Sequence, residues 1–179
     1  GNCGLGLETV RSLAKSGAKV TIACRSKKLG DEAIVEIKKE VPAADLSLIL
    51  LDLANFDSIQ SFAANYKATG NPLHLLINNA GVMSMPKTMT SDGLEMQFGV
   101  NHVGHFILTT ELLDVIKRSG TPTEPARIIN LSSLANWMMA PKCGIRFDDL
   151  NGKLMTTYNI KAQHTIVFYT ILRIITLVR

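Results

Sequence analysis

The sequence has few cysteines, no block of one charge and no uninterrupted apolar run of membrane-spanning length. Its three cysteines, Cys3, Cys24 and Cys143, are far apart and odd in number. That spacing gives neither a disulfide framework nor a CxxC metal site. A reducing compartment, the cytoplasm by default, is therefore the expectation. Lysine and arginine total 19 against 15 acidic residues, for a formal net charge of +4, and the excess occurs only as short pairs such as Lys27-Lys28 and Lys38-Lys39. Dispersed charge of this kind reads as solvated helix faces and argues against a nucleic-acid surface. The most apolar stretch, Ile166–Arg179, is short and interrupted by Arg173, which speaks for a buried core helix and against a membrane span. No signal peptide opens the chain, and because its first residue is Gly1 and not Met, membrane or organelle targeting is not read from this end. His102 and His105 lie three apart with no third ligand at useful spacing, so no metal site is expected.

What is there is a globular chain of 179 residues, 46% apolar and 19% charged, the size of one domain. Four short runs rich in Leu, Ile and Val read as buried strands: Lys19–Cys24, Ser47–Leu51, Leu73–Ile77 and Arg127–Leu131. Helical spacing fills the intervals. Leu7, Val10, Leu13 and Ala14 form one stripe, and Ala33, Ile34 and Ile37 form another. Leu94, Phe98, His102 and Phe106 predict a long helix from about Asp92 to Arg118, with Ser91 as its N-cap and Asp92 and Glu95 in the first turn. This alternation predicts an α/β fold, a Rossmann-like doubly wound parallel sheet with helices on both faces.

Ligands of such sheets sit at the carboxyl ends of the strands. The residues that follow the four predicted strands are Cys24-Arg25, Asp52-Leu53, Asn78-Asn79-Ala80-Gly81 and Ser132-Ser133, a concentration of polar and glycine residues at one end. Gly1-Asn2-Cys3-Gly4-Leu5-Gly6 leads directly into the first helix, where glycines permit a tight turn and bring backbone N–H groups toward a phosphate.

The ordered set Gly4-Leu5-Gly6, Asp52-Leu53, Asn78-Asn79-Ala80-Gly81, Asn101, Ser133 and Tyr158 resembles the short-chain dehydrogenase/reductase family. Ala23–Arg25 (ACR), Asn101–Phe106 (NHVGHF) and Ala140–Gly152 (APKCGIRFDDLNG) are similar to its retinol-dehydrogenase-like branch, and the likeness runs from Gly1 to about Tyr158. The resemblance implies a nicotinamide dinucleotide held by Gly1, Asn2, Gly4, Leu5 and Gly6 at its phosphates, by Asp52 and Leu53 at the adenine, and by Asn79, Ala80 and Gly81 beside the nicotinamide ribose. Asp52 has a second reading, as the cap of a helix starting near Asn55. Arg25 stands where relatives that prefer NAD often place an acid. A guanidinium there suits a 2′-phosphate, so NADP(H) is expected over NAD(H).

The resemblance also implies a catalytic set: Tyr158 as acid/base, Ser133 orienting the substrate oxygen, and Asn101 supporting a proton relay. A tyrosine titrating near ~10 needs a neighbouring ammonium to act as a base at neutral pH. The family reads Tyr-x-x-x-Lys; this chain reads Tyr158-Asn159-Ile160-Lys161-Ala162, so the Lys stands one residue early. Successive helical positions point about 100° apart, which makes Lys161 an imperfect substitute. Trp137, Met138 and Met139, and more weakly Met83, Met85 and Met89, suggest an apolar pocket for a small lipophilic substrate. The family's first strand lies between those predicted at Lys19 and Leu73, so the chain is expected to lack that strand, together with the C-terminal strands and lid. Three readings stand open: an NADP(H)-dependent alcohol/carbonyl oxidoreductase, a non-catalytic dinucleotide-binding module that has lost the Lys, and an inactive fragment. A homodimer through the Asp92–Arg118 helix follows by family analogy.

Overall fold

Branched apolar runs make the strands of this protein and amphipathic segments make its helices. The computed structural model describes residues 1–83, 85–131 and 147–151, and the backbone of 175–178. In chain order the elements are α1 (Gly4–Lys15), β1 (Val20–Cys24), α2 (Lys27–Glu40), β2 (Leu46–Leu50), α3 (Phe56–Ala68), β3 (Leu75–Asn78), α4 (Met96–Phe98), a π-helical turn (Gly99–Gly104), α5 (His105–Ser119), β4 (Ala126–Asn130), a 3₁₀ turn (Phe147–Asp149) and β5 (Ile175–Val178). The four predicted strands are all present, with ends shifted by a residue or two.

β1 and β2 pair in parallel from Val20 opposite Leu46 to Cys24 opposite Leu50. β3 and β4 pair in parallel from Leu75 opposite Arg127 to Asn78 opposite Asn130. These are two separate sheets, and no hydrogen-bonded ladder joins β1 to β3 among the described residues. A cleft of about 470 Å³ runs between the two edges, lined by Ile22 and Ala23 on one side and Leu75 and Ile77 on the other. The second sheet carries an addition: β5 runs antiparallel to β4, from Ala126 opposite Val178 to Ile129 opposite Ile175. The tail from Ile175 to Val178 is thus a strand and not the core helix expected, in keeping with its β-branched residues, which lose rotamer freedom in a helix and suit a pleated surface.

Strand alternation sends neighbouring side chains to opposite layers. Ile22 and Leu48 pack with Val10, Ala14 and Ile37 from α1 and α2. The next residues along each strand, Ala23 and Ile49, pack instead on the core of α3 and α5, among Leu53, Ile59, Phe62, Leu112 and Ile116. The doubly wound arrangement follows directly from this period of two. Arg11 reinforces the α1–α2 layer, its guanidinium reaching Glu8 at 3.2 Å, Glu36 at 2.5 Å and Glu40.

The predicted long helix requires a correction. It begins at Met96, not Asp92, and Ser91 does not cap it. Gly93, with φ of +77°, closes a turn that no α-helix could continue through. Glu95 is the cap, its carboxylate accepting from the backbone N–H groups of Gln97 (3.1 Å) and Phe98 (2.8 Å). The following π turn carries Asn101 and hands over to α5 at His105.

Candidate dinucleotide site

The glycine-rich loop lies at the carboxyl end of β1, where the Gly1 nitrogen donates to Ala23 O at 3.3 Å. Gly4 opens α1 with φ of +54°, a left-handed conformation that glycine adopts at little cost. α1 begins without a side-chain cap and without an acid in its first turn, so its leading N–H groups remain available to an anion. Gly6 faces the loop after β3: a Cβ built there would stand 2.8 Å from Asn79 Nδ2. A side chain at position 6 would fill this cradle. The phosphate loop and the Asn79-Ala80-Gly81 loop meet because position 6 is glycine.

Asn101 completes the next contact. Its side-chain amide grips Val82 from both sides, Oδ1 accepting from Val82 N at 2.8 Å and Nδ2 donating to Val82 O at 2.9 Å. Gly81 passes close by, with its built Cβ 3.3 Å from Asn101 Oδ1. The described geometry therefore shows Asn101 clamping the loop that the resemblance places beside the nicotinamide ribose. The backbone carbonyl of Asn101 meets His105 Nδ1 at 3.1 Å. Burial pushes the imidazoles of His105 and His102 below the ordinary histidine range. A neutral His105 facing a carbonyl must carry its proton on Nδ1 and donate.

Arg25 is exposed just beyond β1 and makes no hydrogen bond or ion pair among the described residues. Ser26, next to it, caps α2 by accepting from Leu29 N at 3.3 Å. The outer face of α2 carries a wide, open depression in which Lys27 pairs with Asp31 at 2.6 Å and Lys28 with Glu32 at 4.0 Å. That is the solvated face expected of dispersed charge, and it lacks the convergent groups of a site.

At the end of β2, the capping role considered for Asp52 belongs to another residue. Asn55 caps α3 by accepting from Ser58 N at 2.8 Å, whereas Asp52 Oδ1 accepts from Ala54 N at 2.9 Å within its own turn. A short side chain two residues before the amide it binds forms a local turn, and position 55 is the one with extended backbone at the helix entrance. Leu53 is 7% exposed and its side chain belongs to the core, which leaves its backbone at the strand end.

Of the sequence-predicted residues, the structure brings together Gly1, Gly4, Gly6, Asn79, Gly81 and Asn101. Asn2 is half-buried in the same loop and Leu5 is 74% exposed on it. Ser133, Tyr158 and Lys161 lie outside the described residues, as do Trp137, Met138 and Met139. Sequence reasoning did not single out Val82, whose two hydrogen bonds to Asn101 come from its backbone. It also did not predict that Asn78 ties the site to its neighbours, donating to Thr109 Oγ1 at 3.1 Å and Asn130 Oδ1 at 2.8 Å. Among the described residues, no group of three His, Cys, Asp or Glu could hold a metal, and no helix is long and apolar enough to cross a membrane.

A glycine-rich turn opening a helix, set against a polar loop at the carboxyl end of a parallel strand, defines a doubly wound nucleotide-binding fold. Comparison with known proteins names the family. The short chain dehydrogenase model matches residues 1–144, and the chain belongs to that family. It is 46% identical over 152 residues to mouse (Mus musculus) retinol dehydrogenase 12, an alignment covering 85% of this chain and 46% of that protein. The chain spans about half the length of the curated relatives it matches. Among solved structures, an uncharacterised protein from Mycobacterium paratuberculosis superposes with a TM-score of 0.74 at 34% identity, covering 93% of this chain and 54% of that one. An NADP complex of RhlG from Pseudomonas aeruginosa superposes with a TM-score of 0.62 at 27% identity, covering 75% and 52%.

Proposed function

We propose that this chain is the cofactor-binding part of an NADP(H)-dependent oxidoreductase that interconverts an alcohol and a carbonyl on a small lipophilic substrate. The observation that carries the reading is the close approach of Gly6 to Asn79, which joins an uncapped helix N-terminus to the loop gripped by Asn101. The glycine cradle and the free first turn of α1 fit a dinucleotide pyrophosphate. Arg25, exposed and without a hydrogen bond or ion pair among the described residues, supports NADP(H) over NAD(H), because a guanidinium can bind a 2′-phosphate bidentately. The names of the relatives support a retinoid or another lipophilic alcohol as the substrate class. When bound, the nicotinamide supplies the hydride donor or acceptor. In this reading Ser133 Oγ holds the substrate oxygen, Tyr158 Oη delivers or takes its proton, and Lys161 supplies an ammonium from one position away from the family's Lys. The clamp of Asn101 on Val82 fixes the loop beside the reacting end. By family analogy, two copies pair through the helix on which Phe106 is exposed.

A second reading rests on one observation: Ala162 occupies the Lys position of Tyr-x-x-x-Lys. It describes a module that binds the dinucleotide without turnover. Fluorescence titration with NADPH and NADH, alongside turnover of retinal, separates the two. Arg25→Glu is expected to weaken NADPH binding by about tenfold or more and to leave NADH nearly unchanged. Tyr158→Phe is expected to leave NADPH binding intact and to lower turnover by roughly 10²–10⁴. NADPH binding with no turnover in the unmodified chain selects the module.

A further inference from the structure

The turn at the end of β2 is held by residues far along the chain. Ala54 and Phe56, on either side of the α3 cap, are both gripped by the consecutive pair Ser91 and Asp92. Ser91 Oγ lies 3.0 Å from Ala54 O, and Asp92 Oδ2 accepts from Phe56 N at 3.1 Å. Ser91 Oγ also lies 3.2 Å from Asp92 Oδ2, so its one proton serves either the carbonyl or the carboxylate. These are the direct polar links that the described structure shows between the 52–56 turn and the 88–95 loop.

Inside the 52–56 turn, Asp52 makes two local contacts. Asp52 N donates to Ser58 Oγ at 2.9 Å, and Asp52 Oδ1 receives Ala54 N. Asp52 Oδ2 takes no hydrogen bond among the described residues and stays at the strand end. The orientation of Asp52 thus depends on where Ala54 stands, and Ser91 and Asp92 fix Ala54 and Phe56 from outside.

The pair itself is rigidly based. Thr90 accepts from Leu94 N through Oγ1 at 3.1 Å and is 7% exposed; the fully buried Glu95 caps the next helix. Asn151 completes the base, accepting from Glu95 N at 3.0 Å and donating to Gly93 O at 3.3 Å. Ser91 and Asp92 are exposed residues on a buried polar knot, and a carboxylate at the first amide of α3 also has the favourable sign for the helix dipole.

We infer that Asp92, assisted by Ser91, is a positioning residue for the adenine half of the dinucleotide: it holds the Asp52–Phe56 turn in the shape that presents Asp52 and the Leu53 backbone. The inference rests on the proposed dinucleotide reading of the site. It separates the two halves of the ligand, because Asp92 acts on the β2 turn while the nicotinamide side is held by Asn101 and Val82.

The test uses two half-ligands on the full chain. Adenosine 2′,5′-bisphosphate probes the adenine half, and reduced nicotinamide mononucleotide probes the other. Asp92→Ala is expected to weaken the bisphosphate by about fivefold, the size of one partly exposed charge-assisted contact at a helix end, and to leave the mononucleotide unchanged. Asp92→Asn keeps an oxygen for Phe56 N–H and is expected to restore most of the loss. Ser91→Ala, a milder change, is expected to move binding in the same direction by a smaller factor. Equal weakening of both half-ligands, or an unchanged bisphosphate affinity in Asp92→Ala, overturns the inference. If the unmodified chain binds neither half-ligand, the dinucleotide reading itself fails and the assignment falls with it, a result visible before any variant is compared.

Discussion

The two sheets of this protein are built by different means. β1 and β2 sit over a local core, in which Val10, Ala14, Ile22, Ile37 and Ala44 come from a continuous stretch of chain. β3 and β4 sit beside a core assembled from distant segments, running from Leu51 through Phe62 and Leu112 to Ile128. The first sheet is joined to the second by side chains, through Ala23 and Ile49 packed on the α3–α5 layer, and no ladder crosses the cleft among the described residues. Apolar packing is non-directional and spans such a seam, whereas a backbone ladder needs strands in register at close spacing. The proposed dinucleotide site lies across the same seam: the glycine-rich loop belongs to the first half, and the loop after β3 belongs to the second.

The largest effect that tests this comparison is a matched pair of core truncations. Ile37 and Ile116 are both 0% exposed, one in each core. Ile116→Ala is expected to cost roughly 2–5 kcal/mol and to lower the melting of the whole chain. Ile37→Ala is expected to fall at the lower end of that range and to raise amide exchange selectively in α1 and α2. Equal losses with one shared exchange pattern would show the halves to be a single cooperative unit.

Gly6→Ala comes next, because it strikes a place where the halves meet at the candidate site. Its Cβ would stand 2.8 Å from Asn79 Nδ2, so overpacking is expected to cost about 1–3 kcal/mol. NADPH affinity should fall with it. A variant that melts normally and binds normally would remove this contact as the link between the halves.

Asn101→Ala sharpens the comparison within the second half alone. It leaves both Val82 N and Val82 O without their partner, a loss of about 1–3 kcal/mol if both stay dry. Exchange at Val82 and Gly81 is expected to rise, with β1 and β2 unaffected.

The smallest effect is the pH response. Burial lowers the His105 and His102 pKa values in the folded chain. The unfolded chain, with histidines titrating near ~6.5, therefore binds more protons in acid, and the neutral imidazoles' contribution is present above that pH and lost progressively as pH falls below it. Melting temperature should drop between about pH 7 and pH 5, and His105→Gln should flatten part of that slope.

Much of the site was legible because its residues act through backbone geometry at strand ends. Gly4 and Gly6 announce a left-handed turn and a close approach, and Asn78-Asn79-Ala80-Gly81 announces a polar loop after an apolar strand. Other parts were hidden for physical reasons. Glu95 reads as an acid in a helix's first turn, yet it is fully buried and caps a helix that starts later. Ser91 reads as that helix's cap, yet its hydroxyl is turned to Ala54, 37 positions earlier.

By itself, the sequence determined the alternation of strands and helices, the family, and the end of the strands at which the candidate site residues stand. These follow from periodicity, β-branching and glycine conformations, all of which act over a few residues. Only the tertiary structure decided that the strands form two sheets, that Ile175–Val178 joins β4 as an antiparallel strand, that Asn101 closes on Val82, and that Asp92 reaches the Asp52 turn. Each of these pairs groups distant in sequence, and local patterns carry no information about which distant partner will satisfy a given donor or edge.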